Sequence, residues 1–161
     1  MGTHPLGGQA GRPPVIGDMS DTPLGTTPEA ARAELAARCD AIEEAYEFML
    51  AYAAQGLPSE HGSDSGSQIR EYLRRCDAAL TGLAELLSGL VARLGLEPAA
   101  PYRAFVGVLD RDARDAQAAV QLALVQRAIS SQLIDNLNAS IHLRALLTDP
   151  FLIDEVLKAL R

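Results

Sequence analysis

The chain has 161 residues, of which 48% are hydrophobic and only 4% aromatic, and it carries a formal net charge of −7. The length suits one domain with a real buried core. Apolar volume supplied mostly by Ala and Leu, without alternating Val, Ile, Thr and Tyr runs, predicts an all-α fold. The charge weighs against nucleic acid, whose phosphates need a clustered basic surface; the one tight basic group, Arg70, Arg74 and Arg75, is broken up by Glu71 and Asp77.

Residues 1–27 are dominated by Gly and Pro, and only Val15–Ile16 could seed a core. Such a segment cannot bury enough to offset its ordering entropy, so a disordered tail is expected, with Pro13–Asp18 as a possible short motif. It lacks the apolar core of a signal peptide. No stretch reaches the roughly 20 apolar residues of a membrane span. A cytoplasmic protein with no membrane partner is therefore expected.

Residues 28–161 are expected to form one helical-bundle domain. The first helix, about 28–55, opens on Thr26–Thr27–Pro28–Glu29, a hydroxyl cap with early Pro and an acid near the positive helix end. Leu35, Cys39, Ile42, Tyr46, Met49 and Ala53 repeat in steps of four and three, while Asp40, Glu43, Glu44 and Glu47 take the other side. Gly56 closes it. The polar linker Gly56–Ser67 follows, and Ser65 with Gln68 suits a capping box for a second helix.

That second helix, about 68–94, carries the clearest pattern in the chain. Ile69, Leu73, Cys76, Leu80, Leu83, Leu87, Leu90 and Leu94 step four and three without a miss, the heptad signature of coiled-coil-like packing. The two helices are expected to form an antiparallel hairpin. Cys39 then lies about 16 residues from the turn and Cys76 about 9, a mismatch of roughly 10 Å against the ~7 Å limit for a disulfide, so two separate thiols are predicted.

A turn at Leu96–Pro101 leads to a third helix over about 101–147, with a possible break near Asp110. No Gly or Pro interrupts residues 111–147, so continuity is favoured, and such a helix would be about 55 Å long. Ala116–Val125 is apolar on nearly all sides and should be central. Asp149 as cap and Pro150 in the first turn predict a short last helix, 150–160. The whole reads as an antiparallel bundle of three long helices and a short fourth.

Catalytic and cofactor signatures are sparse. There is no Glu-x-x-His pair for a di-metal bundle, no phosphate loop and no dinucleotide turn, so no enzyme, metal or cofactor is expected. His61 lies in a polar loop with Glu60 and Asp64, where solvation is the simpler reading than a metal site. Asp135, Asn138 and His142 fall on one helical face and could orient an imidazole, but no nucleophile accompanies them. Asn138–Ala139–Ser140 matches a glycosylation pattern inside a predicted helix and carries no weight.

These features predict a non-enzymatic helical interaction protein, an adaptor, accessory subunit or chaperone with a protein partner, that also self-associates as a dimer. The alternative is a bundle that holds a small molecule or cofactor, touching Cys39, Tyr46 or His142. The over-long third helix places the partner face at Leu133, Asn136, Leu137, Ser140, His142, Leu143 and Leu147, with Asn136 and Ser140 as polar groups in an apolar seam. The amphipathic last helix adds Phe151, Ile153, Val156, Leu157 and Leu160.

Overall fold

The computed structural model describes residues 27–160, and the fold is all-α. The N-terminal tail, with Val15–Ile16 and Pro13–Asp18, lies outside the described residues, as do Thr26 and Arg161.

Helix α1, Pro28–Ala54, starts where Thr27 Oγ1 accepts a bond from Ala30 N at 3.1 Å, satisfying one of the helix's otherwise unpaired N–H groups. Its buried face is Ala31, Leu35, Ile42, Ala45, Met49 and Tyr52. That face is rotated slightly from the predicted one, leaving Cys39, Tyr46 and Ala53 half-buried. Gly56, with φ of 64°, turns the chain out of the helix.

Helix α2, Asp64–Leu80, begins earlier than the capping-box reading implies. Ser63 is the cap, its Oγ accepting from Gly66 N at 3.0 Å. Ser65 instead donates to Gln55 Oε1 at 2.5 Å, and Gln68 to the Asp64 carbonyl. The heptad stripe holds, but the helix under it does not run unbroken. It parts at Thr81–Gly82, and α3 covers Leu83–Leu94. Gly82 supplies a φ of 72°, a conformation that costs other residues a Cβ clash. Arg38 donates to the Thr81 carbonyl, and Gln117 bonds Thr81 Oγ1 and Asp77 Oδ1, each at 2.9 Å.

Helix α4, Ala99–Leu124, passes through Asp110 without a break and stops well before residue 147. The expected 55 Å helix is therefore absent. After it come α5, Ser131–Ala139, and α6, Ile141–Lys158. Pro150 lies inside α6 and does not start a helix, and Asp149 is not a cap.

Distant residues make the break after α4. Arg70 donates to the carbonyls of Leu124 at 2.8 Å and Gln126 at 2.7 Å, replacing the partners that the end of a helix lacks. Glu60 Oε2 accepts from Ile129 N at 2.5 Å, and its other oxygen meets Arg70 at 2.6 Å. Tyr52 donates to the Ile129 carbonyl at 2.6 Å; Ser131 Oγ donates to the Tyr52 carbonyl at 2.6 Å and accepts from Leu57 N at 2.8 Å. Gly66 is required beneath this network, because a Cβ there would collide with the Glu60 carbonyl.

One hydrophobic cluster draws buried residues from all six helices. Helix α1 packs on α2, α3 and α5, whereas α6 packs mainly on α4 and only lightly on α1.

Candidate functional site

The predicted partner face divides between core and surface. Leu137 and Leu143 belong to the protein's own core, Leu133, Ser140 and Leu147 are half-buried, and Asn136 and His142 are exposed. The helix break at Ser140 changes the helical phase, so residues on either side no longer share a stripe. Asn136 does not lie in an apolar seam. Asn138 does: it is 6% exposed, and neither atom of its amide has a hydrogen-bond partner. Asp135 is exposed, and His142 Nδ1 faces Asp115 Oδ2 of α4 at 3.7 Å, so Asp135, Asn138 and His142 do not form one face. On α6, Ile153 and Leu157 are buried, while Phe151, Leu152 and Val156 remain exposed, as does Leu160 just past its end.

Light packing of α6 on α1 leaves a groove of about 300 Å³ between them. Its floor is apolar: Leu35, Ala36 and Cys39 of α1 face Pro150, Phe151 and Leu157 of α6. Its edges are charged, with Arg32, Asp40 and Glu43 on α1 and Asp154 on α6. Arg32 Nη1 reaches the Leu157 carbonyl at 3.4 Å and ties the two helices at one end. Beyond Arg32 and Ala36 a shallower depression continues toward Leu94 and Leu160.

The electrostatics of the groove are acidic. Burial pushes the Cys39 thiol up to about 11, and Glu43, Asp40 and Asp154 push it the same way. A thiol so placed stays protonated at neutral pH and acts as a small apolar group. Cys39 and Cys76 are both free. The Glu43 carboxyl is raised by burial, then by Asp40 and Glu47. Asp154 is matched by Lys158 at 2.7 Å.

On its other side, α6 meets α4 through an acid pair. Asp149 is 9% exposed, and its Oδ2 is buried without a hydrogen-bond partner. Burial, followed by the neighbouring Asp112 carboxyl, raises its pKa to about 7. Asp149 sits between Leu146 and Ile153 in the buried stripe of α6. That spacing is readable in the sequence, but the Asp-Pro pair also reads as a helix start.

Glu60, read in the sequence as a solvated loop acid beside His61, is 7% exposed. Burial alone would raise its pKa; the N–H groups of Ile129 and Glu60 itself, with Arg70, outweigh that and hold it at about 2. The bonds of this network run within the chain, so it closes the fold at the end of α4. Among the described residues no group of three or more His, Cys, Asp or Glu is placed to hold a metal, and no helix is long and apolar enough to cross a membrane.

No family model, no curated protein and no solved structure matches this chain.

Proposed function

We propose that this is a helical interaction protein that receives a helix of a protein partner in the groove between α1 and α6. The observation that carries this reading is Phe151, 59% exposed on the wall of an apolar-floored groove. Large apolar groups gathered beside a groove mark recognition surfaces, and a helix laid in a groove buries them at regular spacing. The over-long third helix no longer supports the reading; the exposed surface of α6 takes its place.

Co-purification from the native cell tests it with two variants. A partner retained by wild type and by Leu122→Asp, at a distant exposed site, is expected to be lost with Phe151→Asp. A partner lost with Leu122→Asp and retained with Phe151→Asp would place the contact elsewhere.

A small-molecule role is favoured by one observation: the groove volume falls at the lower end of ligand sites, roughly 300–1,000 Å³. A bound mass in native mass spectrometry of freshly purified protein is the result that reading requires.

A further inference from the structure

The groove has one unmatched edge. Several acids elsewhere have a basic partner: Glu34 has Arg38, Glu44 has Arg75, Glu60 has Arg70 and Asp110 has Arg114. On the α6 wall Asp154 has Lys158, and at the closed end Arg32 is engaged with the Leu157 carbonyl. Asp40 and Glu43 line the groove, and Glu47, four residues on, continues their stripe one turn beyond it along α1. None of the three has an ion pair among the described residues. Burial first, and then Asp40 and Glu47, disfavour Glu43 as an anion.

We infer that the occupant of the groove is a basic amphipathic helix, whose apolar ridge fills the trough and whose row of Lys or Arg meets Asp40, Glu43 and Glu47. This rests on the groove reading above and names the chemistry of its partner. The α1 wall from Arg32 to Glu43 is roughly 16 Å long, about three helical turns, which calls for apolar anchors at i, i+3 or i+4, and i+7. An acidic helix would add like charge beside three unpaired carboxylates, and such juxtaposition is a strong source of discrimination. A nucleic acid has the wrong sign.

The test uses the full chain and two labelled peptides of about 12 residues that share one Leu ridge, flanked by Lys in one and Glu in the other, read by fluorescence anisotropy. The Lys peptide is expected to bind at least about tenfold tighter at low salt, with the gap closing as salt screens the edge. The triple variant Asp40→Asn, Glu43→Gln, Glu47→Gln should erase most of that gap, and Phe151→Ser should weaken both peptides. Equal binding of the two peptides overturns the basic partner and leaves the groove standing. Binding of the Lys peptide that Phe151→Ser leaves unchanged shows diffuse attraction to an acidic chain and overturns the inference. Binding of neither peptide overturns the groove reading and the inference with it.

Discussion

At its Tyr52 end, α1 is sealed to the rest of the bundle by polar groups turned inward. Tyr52, Ser131, Glu60 and Arg70 exchange short bonds with the backbone of residues 52–57 and 124–129. At the Arg32–Glu43 end the same helix meets α6 across a trough, tied by one guanidinium–carbonyl bond at 3.4 Å. The two ends differ in where the charge points. A carboxylate that collects donors inside the fold closes a seam. Carboxylates kept at an edge without partners leave a surface that another molecule can complete.

The largest expected effect falls on the sealed end. Glu60→Ala should cost about 3 kcal/mol in denaturant unfolding, because it leaves the buried Ile129 N–H without an acceptor and removes the ion pair of Arg70. A loss within ordinary surface noise would erase the contrast between the ends. A second effect lies where α4 supports α6. Asp149 ordinarily titrates near 3.8 and here at about 7, so the folded state holds the proton more tightly than the unfolded chain. Stability from this site is greatest below its ordinary value and falls as pH rises through about 7. Asp149→Asn should remove that decline, a gain on the order of 2 kcal/mol at pH 8 measured against wild type. Glu60 has the opposite sign: it moves from 4.5 to about 2, so its contribution is present above 4.5 and lost as pH falls toward 2. Thermal melts across the pH range read both slopes.

Smaller effects sharpen the comparison. Tyr52→Phe removes one buried bond to the Ile129 carbonyl and should cost about 1 kcal/mol. Phe151→Ser, at the open end, should change stability by less than about 0.5 kcal/mol while still weakening peptide binding. A larger stability loss would mean that Phe151 supports the fold and is not spare surface.

The heptads show which parts of this architecture are local. The stripe from Ile69 to Leu94 is buried throughout apart from half-buried Leu94. Its step from Leu80 to Leu83 keeps phase across the Thr81–Gly82 break, which hides the break from periodicity. The break after Leu124 has no Gly or Pro to announce it. It depends on Arg70, 54 positions away, and Glu60, 69 positions from Ile129. Asp149–Pro150 shows the reverse failure. The pair has the chemistry of a helix start, but α6 is already formed from Ile141, so the acid falls in the seam and Pro150 in the helix interior. The groove was the least legible feature, since it is the space left by helices whose breaks were not predicted. Asp40, Glu43 and Glu47 were visible as charged positions, yet nothing in the sequence separates them from Glu44, which Arg75 neutralises.

Chemical-shift mapping of the full chain with the Lys-flanked Leu peptide tests the central claim most directly. Perturbed amides confined to α1 between Arg32 and Glu47 and to α6 between Pro150 and Leu157, with the Tyr52–Ile129 network unchanged, is the predicted result. Perturbations centred on α2, α3 or the exposed end of α4 at Leu122 and Val125 would contradict it.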